Sequence, residues 1–229
     1  MESKYKQFCP VAMAAETLCT RWTLVLLREL IAGSTRFNDL RRGVPKMSPS
    51  LLSQRLKELE QAGVIEKIAS KDEKGIFEYH LTEAGRDIQP VIESVGMWGQ
   101  KWVESSLSLK NLDPSLLMWD MRRNLNPNPL PKKKSVIQFL YPELPKTKRD
   151  WWLVIEQDGT VDLCWSDPGF EIDSLIETDL KTMTSVWMGL STVKSEKNNI
   201  NIRGDKDIAK NMQLWLGLSP FAKQQKLAP

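Results

Sequence analysis

Between residues 46 and 81 the hydrophobic period changes once, and that change leaves few folds open. In KMSPSLLSQRLKELEQAGVIEK (46–67), Leu52, Leu56 and Leu59 recur at spacings of four and three, joined by Leu51. That is the buried stripe of a helix. Ser48 stands where an N-cap belongs, Pro49 at the first helical position, and Gly63 at the end. Past Gly63 the period falls to two: VIEKIAS alternates, DEKG turns, and IFEYHLT alternates again, a β-hairpin with a charged tip. Upstream, FCPVAMAAETLC (8–19), WTLVLLRELIA (22–32, closed by Gly33) and RFNDLRRGV (Phe37, Leu40 and Val44 at spacings of three and four) read as short helices. Downstream, Thr82 opens TEAGRDIQPVIESVGMWGQKWVESSL, a helix that Pro90 should kink.

Short helices followed by a two-stranded ribbon make a winged helix-turn-helix, with the helix before the ribbon as the recognition helix. Ser48, Ser50, Ser53, Gln54 and Lys57 lie off its leucine stripe and face outward. Serine and glutamine can donate to and accept from base edges, while Arg55, Lys57 and the wing's Lys71 and Lys74 can reach phosphates. Residues 36–57 carry Arg36, Arg41, Arg42, Lys46, Arg55 and Lys57 against the single acid Asp39. A local basic stripe of this kind is the footprint of phosphate contact. A merely solvated face would show the same residues one by one; the order of the elements is the more specific signal.

The rest of the composition excludes more than it assigns. No apolar run approaches the ~20 residues that cross a bilayer, and MESKYKQFCPVAM lacks the apolar core of a signal peptide, so a cytoplasmic protein is expected. The three cysteines, Cys9, Cys19 and Cys164, form no CxxC pair, and the one histidine, His80, stands without a nucleophile partner. No metal, cofactor or enzymatic activity is expected. Asp205 and Asp207 fall in a turn, where a helix N-cap is the simpler role than paired catalysis.

CPVAMAAETLCTRWTLVLLRELIAGSTRFNDLRRGVPKMSPSLLSQRLKELEQAGVIEK, then EYHLTEAGRDIQPVIESVGMWG, resembles the HxlR family of bacterial winged-helix transcription regulators. The resemblance rests on the early Cys-Pro, W-T-L-x-x-L-R-E-L, R-F-N-D-L-R-R, S-x-x-L-L-S-Q-R-L-K-E-L-E, G-V-I-E and E-Y-x-L-T-E-x-G, and covers about residues 8–104. It implies a homodimer on a near-palindromic double-stranded DNA operator. The first and last helices of each domain would form the interface, with half-sites about one helical turn apart. The wing turn SKDEKG departs from the proline-rich pattern common in the family. Some members sense oxidants through an N-terminal cysteine, which makes Cys9 the redox candidate; the alternative is a small apolar residue packed at the dimer seam.

The domain boundary is expected at residue 106, dividing a DNA-binding and dimerisation domain (1–106) from a second domain (107–229). In the latter, DPSLLMWDMRRNL reads as a helix capped by Asp113, SVIQFLYPEL as a strand, and DWWLVIEQDGTVDLCWS as a hairpin turning at Asp158-Gly159. SLIETDLKTMTSVWMGL reads as one amphipathic helix, KNNINIRGD as a strand and IAKNMQLWLGL as a last helix. The expected class is α+β: the winged helix-turn-helix, then an antiparallel sheet covered by helices. Lys132, Lys133 and Lys134 form a basic run, either a solvated loop or a contact to flanking DNA.

WWLVIEQDGTVDLCW, ETDLKTMTSVWMGLST and NNINIRGDKDIAKNMQLWLGLSPFA resemble the sterol-carrier-protein-like lipid-binding fold, over about residues 112–222. That implies an apolar tunnel and an apolar small-molecule effector. Trp151, Trp152, Met183, Trp187 and Leu214 are the candidate lining residues, with plain core as the alternative. The chain therefore reads as a dimeric DNA-binding regulator, a repressor, with a ligand-sensing second domain. The competing reading is a lipid carrier that keeps the winged helix only for dimerisation or protein contacts.

Overall fold

The computed structural model describes residues 5–71, 73–105 and 109–228, in two compact units, Met1–Gly96 and Met97–Pro229. The expected boundary at residue 106 lies outside the described residues.

The first unit contains α1 (Pro10–Leu18), α2 (Thr23–Ile31), α3 (Phe37–Gly43), α4 (Pro49–Gln61), β1 (Ile65–Ala69), β2 (Phe77–Leu81) and α5 (Glu83–Asp87). A further helix, α6 (Gln89–Trp102), begins in it and runs past the division. The leucine stripe of α4 is buried: Leu52, Leu56 and Leu59 join Leu26, Leu27, Leu30, Leu40, Val44 and Ile65 in one core. Burying each such side chain stabilises by about 1.5–3 kcal/mol. Ser48 Oγ accepts the Leu51 amide at 3.3 Å and caps α4, with Pro49 in its first turn. Gly33 follows α2 in the left-handed region, φ +91°.

Pro90 does more than kink a helix. The chain leaves the helix at Ile88 and restarts at Gln89, so Pro90 falls in the first turn of α6, where a missing N–H breaks no helical hydrogen bond. The hairpin pairs antiparallel from Ile65 with Leu81 to Ala69 with Phe77. It is tied back to the helices by a bridge between Arg36 and Glu78 and by the Tyr79 amide donating to Thr35 O at 2.8 Å. Glu29 of α2 is fully buried. It pairs with Arg28, and Arg28 Nη2 donates to the Gly43 carbonyl at 3.0 Å.

The second unit contains α7 (Pro114–Asn124), β3 (Ser135–Leu140), β4 (Asp150–Ile155), β5 (Val161–Cys164), β6 (Ser174–Thr178), α8 (Leu180–Trp187), β7 (Ile200–Gly204), α9 (Lys206–Lys210) and α10 (Met212–Trp215). Asp113 caps α7 by accepting the Ser115 and Leu116 amides, and Asp205 caps α9 through the Asp207 and Ile208 amides. The hairpin turns at Asp158-Gly159 as expected, Gly159 standing at φ +90°.

Three expectations are corrected here. SLIETDLKTMTSVWMGL is not one helix: Ser174–Thr178 is a strand, and Asp179 starts α8 by accepting the Thr182 amide at 2.8 Å. The sheet, ordered β5-β4-β3-β6-β7, is consequently not wholly antiparallel, because β3 and β6 run parallel. The last helix also divides, at Asn211. One face of the sheet (Ile137, Phe139, Leu153, Ile155, Ile176) packs against Met118, Met121, Met183, Val186, Ile208, Met212 and Trp215 of the helices. The other face holds a small cluster of Val136, Trp152 and Val154, with Cys164 against it. No helix among the described residues is long and apolar enough to cross a membrane.

Candidate nucleic-acid interface

The outer face of α4 follows from its inner one. With Leu52, Leu56 and Leu59 fixed in the core, Ser50, Gln54 and Lys57, at spacings of four and three, form the opposite ridge. All three are exposed, as are Ser48 and Ser53. Ser48 spends one lone pair on its cap and lies 3.2 Å from Ser50 Oγ. At the end of α3, Arg41 and Arg42 are exposed, with Arg42 3.3 Å from Asp39. Lys71 and Lys74 are exposed in the wing turn; Asp72 between them lies outside the described residues.

Arg55, expected to contact phosphate, is engaged within the protein. Its side chain is 16% exposed, its Nε donates to the Arg21 carbonyl at 3.2 Å, and its Nη1 is paired with Glu58. Glu58 also accepts from Gln54 Nε2 at 2.9 Å. The sequence reading missed Glu58, although its i,i+4 spacing to Gln54 and i,i+3 spacing to Arg55 were visible signals. It also missed what holds the wing. Glu78 receives Ser70 Oγ at 3.1 Å, His80 Nε2 lies 3.2 Å away, and Arg36 pairs with both Glu78 and Glu73. Those contacts, Ser70 first, then His80 and Arg36, hold the Glu78 carboxyl below the usual range. His80 therefore has a carboxylate partner and belongs to the wing base.

Cys9 is the N-cap residue of α1. The nearby amides of Ala12, then Val11, lower its thiol pKa, though neither makes a complete capping hydrogen bond. Cys19 is exposed. Lys133 and Lys134 are engaged by Asp173 at 2.8 Å and Glu156 at 3.0 Å. Among the described residues, no group of three His, Cys, Asp or Glu side chains is placed to hold a metal ion.

The candidate pocket residues do not converge. Trp151, Met183 and Trp187 lie in the helix-covered core, Trp152 on the opposite face of the sheet, and Leu214 is 63% exposed. Adjacent strand residues point to opposite faces, which separates Trp151 from Trp152.

The family described as HxlR-like helix-turn-helix matches residues 17–107. YdeP, an HTH-type transcriptional regulator of Bacillus subtilis (strain 168), is 39% identical over 94 residues, 41% of this chain and 73% of YdeP. YvaP, an HTH-type transcriptional regulator of the same strain, is 32% identical over 101 residues, 44% of this chain and 94% of YvaP. Among solved structures, the reduced form of the transcriptional regulator YodB from B. subtilis is 31% identical and covers 43% of this chain and 97% of that one, at a TM-score of 0.37. On the family match and the identity to YdeP and YvaP, this chain belongs to the HxlR-like helix-turn-helix family.

Proposed function

We propose that the chain is a DNA-binding transcription regulator, a repressor, that acts as a homodimer on a near-palindromic operator. The observation that carries this is the exposed ridge Ser50, Gln54 and Lys57 opposite the buried leucines of α4. It places hydrogen-bonding groups and a cation on a capped helix of groove-reading dimensions. The test is fluorescence anisotropy of the full chain on duplex taken from upstream of its own gene. Affinity should fall about a thousandfold between 50 and 200 mM salt, as several phosphate contacts require. Salt-insensitive or undetectable binding rejects the reading.

Dimerisation is supported by apolar side chains facing solvent on the two helices that the family resemblance assigns to the interface. On α6 these are Val91, Val95, Trp98 and Trp102; around α1 they are Phe8, Val11 and Met13. Cys9, at the start of α1, would then sit near the seam, with a thiol pKa lowered by the neighbouring amides of Ala12 and Val11.

For the second unit the sterol-carrier-protein-like reading is supported by its five-stranded sheet with helices over one face. Its role would be to bind an apolar small molecule whose affinity differs between operator-competent and incompetent states; equal affinity would shift nothing. Native mass spectrometry of the purified full chain should show an apolar adduct that is lost on denaturation. The same sheet-and-helix layer supports the carrier alternative. Lys57→Ala separates the two: a regulator loses DNA affinity with folding intact, whereas a carrier's adduct and dimer are unchanged. Arg55→Ala is less clean, because Arg55 also holds Glu58.

A further inference from the structure

We infer that Glu58 is a positioning residue for base reading: it presets the Gln54 amide so that α4 selects adenine. The inference rests on the DNA-binding reading above and deepens it. Four groups form a chain across the outer side of α4. The Arg21 carbonyl, in the turn before α2, accepts from Arg55 Nε at 3.2 Å. Arg55 Nη1 pairs with Glu58 Oε2, and Glu58 Oε1 accepts from Gln54 Nε2 at 2.9 Å. The Arg55 side chain is mostly covered, at 16% exposed, while the Glu58 side chain is 31% exposed.

A carboxylate only accepts, so the amide must turn its nitrogen toward Glu58. The orientation of Gln54 is thereby forced rather than chosen. With the N–H anti to the carbonyl given to Glu58, the oxygen and the syn N–H remain side by side for a base edge. Adenine offers the matching pair in the major groove, an N6 donor beside the N7 acceptor, and glutamine meets it with two hydrogen bonds. Guanine presents two acceptors there and cannot satisfy the glutamine oxygen. Arg55 completes the arrangement. It pairs with the charge that Glu58 would otherwise present to the phosphates, and it is itself anchored by a backbone carbonyl. Gln54 lies on the ridge opposite Leu52, Leu56 and Leu59, so the preset amide stands on the side of the helix away from the core.

The test is selection of bound duplexes from a randomised library by the full chain, for the wild type and for Gln54→Ala, Glu58→Met, Glu58→Ala and Glu58→Gln, with a thermal melt of each. The wild type should select adenine at one position of each half-site by about tenfold over other bases. Gln54→Ala should lose that preference. Glu58→Met and Glu58→Ala, which cannot accept the amide, should reduce it to about threefold or less while preference at other positions is kept and each variant still melts cooperatively. Glu58→Gln, whose carbonyl can still take the Gln54 N–H, should retain it. If the Glu58 variants lower affinity for every sequence alike and keep the adenine preference, Glu58 is structural and the inference is overturned. A Gln54→Ala variant with unaltered preference overturns it as well. A wild type that selects no sequence overturns the DNA-binding reading itself, a result distinct from either.

Discussion

Replacing Gly85 by alanine is expected to destabilise the N-terminal unit by about 3 kcal/mol, lowering its melting transition on the order of 15 °C. Helix propensity alone predicts the opposite sign. Gly85 lies inside α5, at no positive φ, and alanine for glycine in a helix gains up to about 1 kcal/mol. Space decides against that gain. A Cβ at Gly85 would lie 2.1 Å from the Val64 carbonyl oxygen and 3.0 Å from Leu81 Cδ2. That carbonyl cannot retreat cheaply, because it accepts the Thr82 amide at 3.1 Å. Thr82 is itself held: its hydroxyl donates to the Gly63 carbonyl at 2.6 Å and accepts the Gly85 amide at 3.2 Å. The junction where β1 begins and α5 starts is thus closed around the missing side chain. Calorimetry of the full chain checks this, and an unchanged or raised transition rejects it. The glycine of E-Y-x-L-T-E-x-G is thereby explained by contact.

If the chain dimerises through α6 as proposed, a carboxylate placed in the outer stripe of α6 is expected to leave it monomeric and to weaken DNA binding at least a hundredfold. Val91, Val95, Trp98 and Trp102 follow one another at spacings of four, three and four, so they share one side of the helix. All are 47–61% exposed. Two tryptophans and two valines facing water are an unusual surface for a monomer and an ordinary one for a two-fold seam, where each residue is used twice. Val95→Glu puts a charge near the middle of that seam, once from each copy, and an uncompensated buried charge costs about 3–5 kcal/mol. Losing the partner also loses its half-site contacts. Light scattering after size exclusion reads the mass, and anisotropy reads the affinity. A Val95→Glu protein that remains dimeric refutes the α6 interface. Monomers that keep full affinity refute the two-half-site reading.

What the sequence made legible was local. The α4 stripe, the caps at Ser48, Thr82, Asp113 and Asp205, and the turn at Asp158-Gly159 each depend on a few neighbouring residues, and each stands where its chemistry placed it. The misreadings share a different cause. SLIET and the helix after it are both apolar enough to merge into one period, and only the Asp179 cap separates them. The parallel pairing of β3 with β6 involves strands more than thirty residues apart, and no local pattern encodes a distant partner. Leu214 looked like part of an apolar face because the break at Asn211, which starts a new short helix, could not be seen. In the candidate interface the exposed residues were legible from helical spacing. The engagement of Arg55 was not, since one of its partners is a backbone carbonyl thirty-four residues away.

The parallel β3–β6 pair sets a condition on how the second unit can be synthesised. Strands β3, β4 and β5 leave the ribosome in order and can zip as successive hairpins, but the other edge of β3 stays bare until β6 has been made. During that interval Ile137 to Leu140 present unpaired backbone groups next to a face that is not yet covered by α8. A transcript cut short after Cys164 would freeze the chain in this state, with an open, apolar strand edge able to template pairing with another copy. Premature termination there therefore yields a sticky fragment rather than a shorter folded unit.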